Sequence, residues 1–300
     1  MSIIASSSSN TTKVNQGKPK DFITLLKPRV MSLSIFSALS AMLLAPGRIH
    51  PFLFFISICA IGLGAGGAGA LNMWYEHDRD ELMNRTKSRP IPTKKIHPHT
   101  ALVFGISVST VSVLLLGLAS NWLASFLLLI TILAYVWGYT IFLKPRTVYS
   151  IVIGGISGAL PPVIGWATVS GEISLMSLLM CFIIFMWTPA HFWALNIEQM
   201  ADYKQAGFPM YPNVYGVLKT KYQIVFYTVA TAITTTCTFL IWKGSIVLTV
   251  LAFVVSIWFI YESVQLLNHK LQPMRFFICS IYFLFFIFSI FIVQFVIECI

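Results

Sequence analysis

From position 30 onward the chain alternates long apolar stretches with short polar breaks, and nowhere shows the strict every-other-residue alternation of half-buried strands. A membrane crossing needs about 20 predominantly apolar residues. Nine stretches qualify, at 30–46, 52–72, 101–119, 122–142, 148–168, 173–195, 222–242, 245–267 and 276–297. The pattern predicts an all-α integral membrane protein with nine transmembrane helices. The third and fourth are separated by little more than Asn121, which predicts a tight helical hairpin. Pro161, Pro162 and Pro189 are expected to kink or break the fifth and sixth spans. The small-residue runs at 62–70 and 153–162 suit close helix approach.

Residues 1–20 differ in kind: Ser, Thr and Asn dominate, followed by Lys13, Lys18 and Lys20, without an apolar core. This reads as a solvated, disordered tail and not a signal peptide. It leaves 21–300 as one intramembrane domain.

Composition sharpens the class. Of 300 residues, 57% are hydrophobic and 10% charged, against roughly 25% charged in soluble domains, which excludes an ordinary soluble enzyme. The formal net charge of +10 would suggest nucleic acid only if basic residues clustered on a water-facing surface, so no nucleic-acid partner is expected. Topology explains the charge instead. With the N-terminus cytoplasmic, eighteen of the 20 Lys and Arg fall on the inner side and only Arg48 and Lys243 outside. Cys59, Cys181, Cys237, Cys279 and Cys299 have no metal-site spacing and read as buried small hydrophobes.

The inner loop after the second span carries chemistry. Asn72, Glu76 and Asp80 recur at every fourth position, on one helical face with a drift of about 40° per step, while Asp78 and Glu81 point elsewhere. Two carboxylates and an amide make an all-oxygen site suited to Mg²⁺. Arg85, Lys87 and Arg89 follow directly. Carboxylates that hold a metal beside cations that neutralise phosphate are what a metal diphosphate requires. Positive-inside topology alone accounts for Lys94 and Lys95, but not for the acids.

A second loaded segment follows the sixth span. If its helix continues, His191, Glu198 and Asp202 fall within about 20° of one another, with His191 about 16 Å deeper than Asp202. Glu198 and Asp202 repeat the acid spacing of Glu76 and Asp80, which hints at a repeat of four spans. An ionisable group within a bilayer is a functional candidate by default. His191, set among Trp187, Phe192 and Trp193, would ligate a haem iron, bond a substrate or act as a base. His50, His97, His99 and His269 read as loop residues, and His77 as pointing away from the acids.

These motifs carry a resemblance. Asn72-x₃-Glu76-x₃-Asp80 followed by RTKSRPIP, then LKPRT and IVIGGISGALPPVIGW, then TPAHFWALNIEQMADYKQAGFPM, is similar to the UbiA superfamily of intramembrane prenyltransferases, and within it to the haem-farnesylating branch. The resemblance implies helices around a central cavity and farnesyl transfer from farnesyl diphosphate to a vinyl group of haem b with addition of water. It implies Mg²⁺ as cofactor, the lipid bilayer as surroundings and a haem A synthase as the enzyme that would take the product; the lack of an Arg-rich presequence favours a bacterial inner membrane over a mitochondrial one. Carried over position by position, the family's metal and diphosphate positions fall on Asn72, Glu76, Asp80, Arg85, Lys87, Arg89, Lys144 and Asp202, of which Asn72, Glu76, Asp80 and Asp202 form the candidate catalytic set; the repeated acid spacing adds Glu198 to Glu76, Asp80 and Asp202 as expected Mg²⁺ ligands. Diphosphate is thus expected to meet Arg85, Lys87, Arg89 and Lys144, joined by the neighbouring Arg146, and the intramembrane setting of His191 makes it the residue expected to meet haem. Glu76 stands where bacterial members commonly carry Asp, one methylene shorter. Two rival readings are an aromatic-acceptor prenyltransferase of the same superfamily and a secondary transporter.

Overall fold

The computed structural model describes residues 17–242 and 244–299, with side chains to Ile297. The predicted tail up to residue 16, the outer Lys243 and the Cys299 side chain lie outside the described residues. Every element is helical: α1 (Pro19–Leu25), α2 (Pro28–Leu44), α3 (Pro51–Tyr75), α4 (His77–Leu82), α5 (Pro98–Ala119), α6 (Trp122–Leu133), a π-helical segment (Ala134–Leu143), α7 (Ser150–Ala159), α8 (Pro161–Ser170), α9 (Leu175–Glu198), α10 (Met200–Gln205), α11 (Tyr211–Tyr215), α12 (Val217–Trp242), α13 (Ile246–Leu267) and α14 (Pro273–Cys299). Helix α1 begins at Pro19, inside the stretch expected to be tail.

Eight helical spans among the described residues are long and apolar enough to cross a membrane, and nine if α1 and α2, bent by 55°, count as one. The chain is therefore a multi-pass membrane protein. The bend follows from Pro28, which disfavours the right-handed region at Lys27. Lys27 sits at φ 54°, ψ 58°, and α2 restarts with Pro28 in its first turn.

The other breaks and turns follow local chemistry. Asn121 caps α6 by accepting from the Ala124 amide and donates to the Ala167 carbonyl, fixing both the hairpin and its neighbour. Pro161 and Pro162 interrupt the fifth span at Leu160 as expected. Pro189 does not break the sixth: α9 runs through it as one helix. At Gly165 helix α8 approaches α2 so closely that a Cβ would collide with the Ala38 carbonyl.

The span from Trp122 ends as a π-helix, which sequence periodicity does not reveal. Cys181 is buried, whereas Cys237 is exposed among the outward apolar residues, so burial does not explain every cysteine. The segments around Arg48, Ser120 and Gly171 converge at one end of the bundle. At the opposite end, Lys144 meets Glu76 and Asn84 meets Asp202.

Candidate functional site

Asn72, Glu76 and Asp80 are buried at 3%, 4% and 2% exposure, although they do not lie on one unbroken helix. Helix α3 stops at Tyr75 and Glu76 caps it at φ −90°, ψ 4°. The Glu76 amide still donates to the Asn72 carbonyl and the Asp80 amide to the Glu76 carbonyl, which preserves the four-residue register across the break. Asp78 is exposed and pairs with His77, whose Nδ1 contacts the Trp74 carbonyl. Both therefore point away, as the helical spacing predicts.

Each buried oxygen group meets a cation or donor. Lys144 Nζ lies 2.5 and 2.7 Å from the two carboxylate oxygens of Glu76. Arg89 Nη1 lies 2.6 Å from Asp80 Oδ2. Lys27 Nζ donates to Asn72 Oδ1 at 2.5 Å, and Asn72 Nδ2 donates to Thr140 in the π-helical segment at 3.2 Å. Burial alone would raise the Glu76 pKa, but the charge and hydrogen bonds of Lys144, helped by Lys27 and Arg89, hold it below the usual value.

The remaining predicted cations divide. Arg85 and Lys87 are exposed; the Arg85 amide donates to Asp202 at 3.0 Å and Lys87 donates to Asn84 at 2.8 Å. Arg146 turns back on its own helix, donating to the carbonyls of Ile141 and Phe142 and stacking over the Phe142 ring. It acts there as a helix-end cap, so the structure leaves it outside the cluster.

The second acid pair does not reproduce the first. Helix α9 ends at Glu198, Gln199 caps it, and a six-residue helix follows, just as α4 follows Glu76. Relative to that break, Glu198 and Asp202 stand one residue earlier than Glu76 and Asp80, a rotation of about 100°. Asp202 reaches the Asn84–Arg85 turn, whereas Glu198 is exposed and unpaired among the described residues. No three His, Cys, Asp or Glu side chains there gather at one point, so the four-acid metal set is not assembled around a single position.

His191 sits apart from the acids. Its ring stacks between Trp187 at 4.1 Å and Phe277 at 4.3 Å, and Nδ1 lies 2.7 Å from Ser280 Oγ. Both ring faces and Nδ1 are engaged, and Nε2 makes no hydrogen bond among the described residues. An apolar cavity lies between α2, α3, α6, α7 and α8, lined by Met31, Ala65, Ala68, Gly158 and Pro161, with Lys27 and Tyr135 among its polar groups. Because Lys27 also holds Asn72, the cavity adjoins the acid cluster.

The donor atoms fit Mg²⁺, being hard oxygens from two buried carboxylates and an amide; Lys144, Arg89 and Lys27 occupy them here, and a metal would take the place of those contacts. Lys27 and Thr140 were not among the expected site residues. Their signal in the sequence is faint: a Lys-Pro step before the first span, and a lone threonine in an apolar run.

The sequence profile of the UbiA prenyltransferase family matches residues 34–293. The chain is 47% identical over 292 residues to the protoheme IX farnesyltransferase of Rhizobium meliloti (strain 1021), covering 95% of this chain and 92% of the relative. It is 45% identical over 285 residues to the protoheme IX farnesyltransferase of Bartonella henselae, covering 93% and 91%. Among solved structures, a digeranylgeranylglyceryl phosphate synthase superposes with TM-score 0.75 at 18% identity, over 92% of this chain and 98% of that one. A UbiA homolog from Archaeoglobus fulgidus bound to DMAPP and Mg²⁺ superposes with TM-score 0.68 at 15% identity, over 91% and 99%.

Proposed function

The chain belongs to the UbiA prenyltransferase family, and from that premise we propose that it transfers the farnesyl group of farnesyl diphosphate to a vinyl group of haem b, releasing diphosphate and forming haem O. The observation that carries the chemistry is the buried set of carboxylate–cation pairs, Glu76 with Lys144 and Asp80 with Arg89, at the polar end of an apolar cavity. The 47% identity to protoheme IX farnesyltransferases selects the acceptor.

Asn72, Glu76 and Asp80 would hold Mg²⁺, which when bound supplies positive charge to the diphosphate. Lys144 and Arg89 are within reach of the same carboxylates, so an arriving diphosphate offers them a second anion. Together with Arg85 and Lys87 they take up the charge that develops on the leaving group as the allylic C–O bond breaks. The apolar cavity excludes water from the allylic cation, and Tyr135 lends an electron-rich wall. The vinyl carbon of haem bonds to farnesyl C1, and the cation left beside the porphyrin adds water and loses a proton. His191 offers its Nε2 edge to the haem.

The eighteen-to-two charge split supports nine spans with α1 and α2 as one, a cytoplasmic N-terminus and the site at the cytoplasmic face; the bacterial relatives support a bacterial inner membrane as its setting. A haem A synthase is the partner that would take the product. Purified protein given haem b, farnesyl diphosphate and Mg²⁺ tests the reading. A haem product heavier by farnesyl plus water, absent when EDTA replaces Mg²⁺, is expected; unchanged haem in the complete mixture overturns it.

A further inference from the structure

Phe208 links the two motif regions in a way that the reaction described above leaves unused. Its ring is 4% exposed, and two cations lie over it: Lys144 Nζ and Arg79 Cζ are each 4.5 Å from the centroid. Lys144 reaches it from the end of the π-helical segment and Arg79 from α4, whereas Phe208 itself comes from the turn after α10.

That turn is built to present the ring. Gly207 adopts φ +69° just beyond the end of α10; its amide donates to the Lys204 carbonyl, and the Phe208 amide donates to the Tyr203 carbonyl. This pair of bonds is the Schellman arrangement, in which the residue after the left-handed glycine packs against the one five positions earlier. Phe208 and Tyr203 do so edge to face at 6.2 Å, inside a cluster with Met83, Ala206 and Met210. The ring's place is therefore set by this turn and cluster, neither of which involves Lys144 or Arg79.

A buried ring is an uncommon neighbour for two like charges. The negative face of its quadrupole attracts each cation, and the attraction grows as water is removed. Glu76 can neutralise Lys144 only while its carboxylate is free to do so, whereas Phe208 carries no charge and competes with no phosphate. Resting on the farnesyl-transfer reading, we propose that Phe208 is a positioning residue that holds Lys144 and Arg79 together as a cation pair for the diphosphate, which makes Arg79 a further phosphate-side cation.

The test uses the full chain, with KM measured separately for farnesyl diphosphate and for haem b. Phe208→Leu, which keeps apolar bulk but loses the π face, should raise KM for farnesyl diphosphate about tenfold. KM for haem should stay unchanged, and Phe208→Tyr should restore the wild-type value. In a Lys144→Met, Arg79→Met background, read by binding of inorganic diphosphate and not by turnover, the leucine substitution should add nothing. Progressive fluorination of the Phe208 ring weakens its quadrupole at nearly constant volume and should raise the same KM stepwise, which keeps the test open should the leucine variant fail to fold. Inorganic diphosphate binding by the purified variants should weaken in the same order. An unchanged KM for farnesyl diphosphate in Phe208→Leu, an equal rise in both KM values, or no trend with fluorination overturns the proposal. Absence of farnesyl transfer by the wild-type chain would instead remove the functional reading on which it rests.

Discussion

Lys144 Nζ lies 2.5 and 2.7 Å from the two carboxylate oxygens of Glu76, a residue 68 positions earlier in the chain. Both groups are almost fully removed from solvent, so each depends on the other to offset its desolvation. Glu76 closes α3, and Lys144 follows the π-helical segment, whose wider turn ends with the Lys144 amide bonded to the Tyr139 carbonyl. The pair therefore ties two spans together at the site.

Glu76→Gln or Lys144→Met alone leaves an unpaired buried charge and is expected to cost about 3–5 kcal/mol. The double variant should recover most of that loss in thermal unfolding in detergent while still failing to form haem O. Recovery of activity in the double variant would show that the pair is structural only.

The depressed Glu76 pKa sets an acid limit. A carboxyl whose pKa is lower folded than unfolded stabilises the fold above its unfolded value and loses that contribution as pH falls through the folded value. Thermal stability should hold from neutral pH down to the usual carboxylate range and decline below it. Glu76→Gln should flatten that decline, and an equally steep decline in the variant would count against the pair as its source.

Close packing at Gly165 makes a sharp contrast with Gly158. Gly165→Ala forces α8 away from the Ala38 carbonyl and is expected to cost about 1–3 kcal/mol. Gly158→Ala meets nothing within 4 Å and should be neutral or slightly stabilising, through the better helix propensity of alanine. Melting temperatures of the two variants decide it; equal losses would mean that the α2–α8 contact is not tight.

Sidedness is open to labelling. In intact cells Ser88→Cys, on the exposed loop beside Arg89, should resist a membrane-impermeant thiol reagent in a chain cleared of its own cysteines, and Arg48→Cys should react. The reverse pattern would place the site on the outer face.

Much of this architecture was legible in the sequence. Span positions, the Asn121 hairpin and the Asn72-Glu76-Asp80 face depend on periodicity and local capping, which a linear chain carries. The stripe joining His191, Glu198 and Asp202 was not, because it assumed an unbroken helix where Gln199 ends α9. The partners of the acids were equally hidden. Lys144 meets Glu76 through a π-helix, and Phe208 meets both Lys144 and Arg79 through a glycine turn, and neither contact leaves a spacing to read.

Carboxylate-assisted farnesylation of haem is tested most directly by the mass of the haem product formed in ¹⁸O-labelled water by the wild-type chain and by Asp80→Ala. Wild type should yield haem b plus farnesyl plus one labelled water, and Asp80→Ala should yield only unmodified haem b despite normal membrane insertion. Unmodified haem from the wild type, or full product from Asp80→Ala, would contradict it.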